Sequence, residues 1–153
     1  MSFFLKSTAF AQGARIPAQY TSSGRNISPP FSWQGAPPGT KSYVIICDDP
    51  DAPAGVWVHW AIYNIPASTT GLRENISPIP RLADGTLQGK NDFMKIGYGG
   101  PSPPPGKPHR YFFKLFALDT YLDDEPGHTK KAVLDLMRSH ILAKAEYYGT
   151  FSR

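Results

Sequence analysis

A chain of 153 residues has the length of one domain and can bury a proper core. Its 41% hydrophobic and 13% aromatic content suit a globular protein, and its 14 glycines and 16 prolines, set among aromatic segments, point to turns between strands and exclude a disordered chain. A net charge of +4 without a long basic block gives no basis for a nucleic-acid partner, and a single cysteine, Cys47, rules out an internal disulfide.

The first ten residues hold one lysine and only short apolar pieces, and no apolar run approaches a membrane span. A cytoplasmic protein without stable membrane insertion is expected. Residues 1–42 are short apolar pieces cut by Gly13, Pro17, Gly24, Pro29-Pro30, Gly35 and Pro37-Pro38-Gly39, the spacing of short strands and turns. Tyr43 to Cys47 is apolar throughout and predicts a strand covered on both faces, with Cys47 as a core thiol. Val56 to Ile65 predicts a second strand, and alternation places Trp57, His59, Ala61 and Tyr63 on one face and Val58, Trp60 and Ile62 on the other. Ala67 to Leu72 holds at most a further turn, and Leu82 to Met94, with Gly85 and Gly89, is expected as an exposed loop.

Gly97 to Pro108 is almost entirely glycine, proline and serine, and it runs into His109-Arg110-Tyr111 and a third predicted strand ending at Leu118. If the strand begins at the histidine, His109 and Tyr111 share a side. The only convincing helix begins near Thr129, a potential cap, with Val133, Leu136, Met137 and Ile141 at helical spacing and Gly149 placed to end it. The residues thus predict a β-dominated single domain, 1–153, with a C-terminal helix.

The chemistry-bearing groups are Asp48-Asp49-Pro50-Asp51, His59, the Gly/Pro loop, and His109 with Tyr111. The aspartates follow a buried strand, where carboxylates commonly satisfy the N–H groups of a turn. Three combinations are open. His59, His109 and Asp49 are the two-histidine, one-carboxylate set of a non-haem metal centre, though no ligand pair has a short fixed spacing. A hydrolase would use Ser102 with a histidine, but Ser102 lies between prolines and lacks a GxSxG elbow. An anion site would use bare N–H groups from Gly99 and Gly100, the Tyr111 hydroxyl, both imidazoles, and Asp49 to orient a histidine. It uses the most residues and the fewest assumptions.

Asp49-Pro50-Asp51-Ala52-Pro53, Val58-His59-Trp60, Tyr63-Asn64-Ile65-Pro66, and Gly99-Gly100-Pro101 running to His109-Arg110-Tyr111 resemble the signature regions of the phosphatidylethanolamine-binding proteins, most closely the bacterial and archaeal Raf-kinase-inhibitor-like branch. Ile27-Ser28-Pro29-Pro30-Phe31-Ser32-Trp33, Gly89-Lys90-Asn91-Asp92 and Gly149-Thr150-Phe151 extend the resemblance over essentially the whole chain. It implies two antiparallel sheets with helical structure at the C-terminal side, and a small preformed pocket for phosphate-like anions, phospholipid head groups included. Carried over by position, the pocket comprises Asp49, His59, Gly100, Pro101, Pro103, His109 and Tyr111. Ser102 stands where many bacterial relatives carry a cysteine, which removes a redox role for that position.

No metal or cofactor is called for. The expected function is that of a binding protein with a phosphate-like or phospholipid head-group ligand, a kinase or other signalling protein as a further partner, and a homodimer as the assembly. The alternatives are a small hydrolase using His59 or His109 with Asp49, and an interaction protein whose pocket is vestigial.

Overall fold

An apolar run such as Tyr43 to Cys47, with no polar side for solvent, must have cover above and below. A computed structural model describes residues 2–153 and shows both covers. The run lies within β3 (Ser42–Asp49), every residue of which is buried. It is flanked on both sides by antiparallel partners, β4 (Trp57–Pro66) and β7 (His109–Leu118). The short β6 (Leu87–Gln88) and the long β8 (Ile141–Phe151) close the two sides, giving a five-stranded sheet in the order β6-β4-β3-β7-β8. A second antiparallel sheet is formed by β1 (Phe4–Lys6), β2 (Phe31–Gln34) and β5 (Gly71–Leu72), in the order β1-β2-β5.

The inner face of the large sheet, with Ile45, Cys47, Trp60, Ile62, Phe113 and Leu115, packs on Leu5, Phe31 and Trp33 of the small one. Its outer face, with Val44, Ile46, Tyr63 and Phe116, lies under an α-helix, α1 (Lys130–Met137), through Val133 and Met137. The architecture is mainly β, two antiparallel sheets and a helix, as the sequence predicts. No helix among the described residues is long and apolar enough to cross a membrane.

Two expectations are corrected. The helix does start at Thr129, whose hydroxyl caps the Ala132 N–H at 3.2 Å, but it stops at Met137 rather than near Gly149. Ser139 takes a left-handed φ of 75°, and Ile141–Phe151 is a strand with an exposed Ile141. The reason is a change of period. Ala145, Tyr147 and Phe151 point inward while Lys144 and Glu146 stay exposed. Gly149 ends nothing. An added Cβ there would sit 2.6 Å from Ile16 Cγ1 and 2.7 Å from Phe10 Cε2, so glycine permits the amino-terminal segment to close on the sheet.

The second correction concerns residues 82–94. Thr86, Leu87 and Gln88 are buried, and Gln88 works as an internal strut. Its Oε1 accepts from Trp60 Nε1 at 2.9 Å, and its Nε2 donates to the carbonyls of Ser77 (2.7 Å) and Ile79 (2.9 Å). A fully paired amide can be buried at little cost, which composition alone does not reveal.

Candidate functional site

The site forms where the carboxyl end of β3 meets the beginnings of β4 and β7, and a bulge assembles it. Cys47 pairs with Trp60 but Asp48 pairs with Val58, so β4 carries one extra residue, His59. His59 and Trp60 consequently turn to the same side, Trp60 into the inner core and His59 over Tyr111, ring centroids 5.2 Å apart. Strict alternation therefore fails beyond His59. Ala61 pairs beside Ile46, and Tyr63 joins the outer cluster, whereas Trp60 and Ile62 belong with the inner one.

β7 begins at His109, so His109 and Tyr111 do share a side. Asp49, 3% exposed, spends both carboxylate oxygens locally: Oδ1 accepts from the Asp51 N–H and Oδ2 from His109 Nδ1, each at 2.7 Å. A carboxylate partner fixes Nδ1 of His109 as the protonated nitrogen and leaves Nε2 without a protein partner among the described residues. His59 is held in the same sense. Its Nδ1–H donates to the Gly99 carbonyl at 2.6 Å, and the Gly99 N–H donates back to the His59 carbonyl at 2.9 Å.

These groups surround a cavity of about 200 Å³ lined by Asp49, His59, Pro103, His109 and Tyr111. Trp57, Phe93, Ser102 and Pro104 complete much of its wall. Among the described residues three buried donors have no hydrogen-bond partner: the Tyr111 hydroxyl and the Trp57 indole N–H, both on cavity-lining residues, and the Trp33 indole N–H, in the inner core away from the cavity. Burial pushes the Tyr111 pKa well up, and neighbouring Asp49 adds to this, so the hydroxyl keeps its proton.

Gly100 and Pro101 lie outside the lining. The Gly100 N–H is not bare but donates to Asn26 Oδ1 at 2.8 Å, and the Gly99 N–H is taken by His59, so the expected backbone nest does not form. Gly100 is glycine for closeness: a Cβ would lie 2.4 Å from the Tyr20 carbonyl oxygen. Pro101 meets the same segment, its carbonyl accepting from the Ser22 N–H at 2.9 Å.

With this geometry, comparison with known proteins is decisive. The family model for phosphatidylethanolamine-binding protein matches residues 6–152. The chain belongs to the phosphatidylethanolamine-binding protein family. A UPF0098 protein of Methanothermobacter thermautotrophicus is 54% identical over 149 residues, 97% of this chain and 98% of that one. A structure of a putative phosphatidylethanolamine-binding protein homologue from Chlamydia trachomatis superposes with a TM-score of 0.91 at 39% identity, covering 99% of this chain and 98% of the other. E. coli YbcL, described as a member of the mammalian family, gives a TM-score of 0.91 at 33% identity, covering 100% and 99%.

In this phosphatidylethanolamine-binding protein family member, the neighbouring aspartates have separate duties. Asp48 faces the other side of the sheet and pairs with Lys114 Nζ (3.2 Å) and Lys130 Nζ (2.6 Å), which fastens the start of α1; the turn-satisfying role falls to Asp49. Asp51 forms a two-pronged pair with Arg110, Nε to Oδ2 and Nη2 to Oδ1 at 2.9 Å each, and this holds its pKa down at about 2. Arg110 is thereby spent on loop anchoring. Ser102 Oγ bonds to Arg153, not to a histidine, so no activated serine is formed. Among the described residues no three His, Cys, Asp or Glu side chains converge to hold a metal ion.

Trp57 was marked by its shared face with His59. Phe93 carried no local signal; it arrives from the 82–94 segment to set its ring edge-on to His59 at 5.4 Å and to Trp57 at 5.5 Å.

Burial lowers the His59 pKa, the Gly99 carbonyl and Asp49 opposing only in part. The unfolded chain therefore takes up a proton more readily than the folded one, and stability present above the ordinary value of about 6.5 is lost as pH falls through the depressed value. The urea midpoint is expected to drop between about pH 7.5 and about pH 5, and His59→Gln is expected to lessen that drop. An unchanged drop in the variant would assign the acid sensitivity to other groups.

Proposed function

We propose that this protein is a non-enzymatic binding protein whose cavity receives the phosphate group of a small ligand or of a phospholipid head group. The observation that carries the reading is the pair of buried donors without partners, Tyr111 O–H and Trp57 Nε1–H, on residues that line a cavity beside the Asp49–His109 pair. Buried donors are nearly always satisfied, and a ligand oxygen would satisfy them here. Imidazolium at His109 adds a third, charged donor through Nε2, with Asp49 stabilising the charge behind it. The cavity, about 200 Å³, falls below the ~300–1,000 Å³ usual for small-molecule sites and accepts a head group but not an acyl chain. The names of the family and its members point to the same ligand class.

Titration calorimetry with phosphoethanolamine tests the reading. His109→Ala is expected to weaken binding about tenfold or more, the cost of losing a charge-assisted hydrogen bond. Equal affinity in wild type and variant would overturn the site.

A further inference from the structure

Among the described residues no lysine or arginine lines the cavity. Asp49 is negative, an imidazolium at His109 only balances it, and Arg110 is neutralised by Asp51. A bound phosphate would bring one or two negative charges with nothing fixed to answer them.

Arg153 stands at the rim. Arg81, Arg110 and Arg138 each have a carboxylate partner; Arg15, Arg25, Arg73 and Arg153 have none among the described residues, and of these four only Arg153 bonds to a residue of the cavity wall. Its Nη2 donates to two neutral hydroxyls, Ser22 Oγ at 3.1 Å and Ser102 Oγ at 3.0 Å. The two serines are brought together by the Ser22 N–H bond to the Pro101 carbonyl, and Ser102 is part of the cavity wall. Hydroxyls position a guanidinium without cancelling its charge. Nε and Nη1 remain without partners among the described residues, and such a fork matches two oxygens of a phosphate. The charge also reaches the interior: burial and then Asp49, Cys47 and Asp51 raise the Tyr111 pKa, and Arg153 works against them.

We propose that Arg153 is the charge-reading residue of this site, gripping the outward oxygens of a phosphate group whose inner oxygens meet Tyr111 and His109. The inference rests on the phosphate reading of the cavity. An exposed guanidinium held by neutral hydroxyls gains most from a doubly charged terminal phosphate and least from a singly charged diester. Arg153 thus favours phosphomonoesters over the diester of an intact lipid.

The test is calorimetry of wild type, Arg153→Gln and Arg153→Lys with inorganic phosphate, phosphoethanolamine and the diester glycerophosphoethanolamine, each at low and high salt. Arg153→Gln is expected to bind phosphoethanolamine about tenfold more weakly, with a flatter salt dependence, a smaller loss for the diester, and Arg153→Lys in between. Because Arg153 is exposed, its variants keep the wild-type urea midpoint, which separates a binding loss from unfolding. Unchanged affinity and salt dependence in Arg153→Gln, with binding still lost in His109→Ala, overturns the role of Arg153 and leaves the cavity standing. Equal losses for monoester and diester overturn the preference for a terminal phosphate. Failure of the wild type to bind any of the three overturns the cavity reading itself, and Arg153's role with it.

Discussion

Trp60→Ala is expected to lower stability by about 3–5 kcal/mol, which for a domain of this length is on the order of 10 °C in Tm. Trp60 is fully buried in the inner core, where its indole meets Tyr98 edge-on at 5.5 Å. Truncation removes that packing, leaves a void between the sheets, and strands Gln88 Oε1 without its donor. The last effect can be isolated. Trp60→Phe keeps most of the apolar volume but not the N–H, and is expected to cost about 1–3 kcal/mol for the unsatisfied oxygen. Urea unfolding of the three proteins separates the contributions, provided the slope of the transition is unchanged. A Phe variant as stable as wild type would show that the Gln88 strut contributes nothing net.

The central strands were legible because their cause is local. A run such as Tyr43 to Cys47 carries its own evidence of double burial, and the His109-x-Tyr111 spacing marks a shared face once the strand start is known. β8 was obscured by two misleading signs, a capping Thr129 that did start a helix and a Gly149 that looked like its end. The alternation of Ala145 and Tyr147 with Lys144 and Glu146 was present, but four helically spaced apolar residues just upstream outweighed it.

The site was only half legible for a different reason. Asp49 and His109 are 60 positions apart, and their contact depends on β3 and β7 being neighbours in the sheet. His59 reaches the cavity together with a core-facing Trp60 only because of the bulge, which has no glycine to announce it. Family resemblance supplied the residue set; geometry removed Gly100 and Pro101 from the wall and added Trp57 and Phe93.

Asp49→Asn is expected to weaken anion binding and flatten its salt dependence while leaving the cavity in place. In the wild type, Asp49 accepts a proton-bearing Nδ1 from His109, so Nε2 bears a proton only as imidazolium. Anion binding at Nε2 then draws on the imidazolium, whose charge Asp49 supports from behind. Asparagine at this position cannot act in the same way. The Asp51 N–H still demands an acceptor at Oδ1, which turns the amide NH₂ toward His109. Facing a donor, His109 must present Nδ1 as a lone pair and carry its proton on Nε2. The variant therefore keeps a donor toward the ligand but loses the charge, so its binding is weaker and less sensitive to salt. Sulfate is the suitable probe because phosphate itself changes charge near a second pKa of about 6, whereas sulfate does not. Calorimetry at low and high salt is expected to give weaker sulfate binding and a flatter salt dependence for the variant than for wild type. A variant with the affinity and salt dependence of wild type would break the link between the Asp49–His109 pair and the ligand.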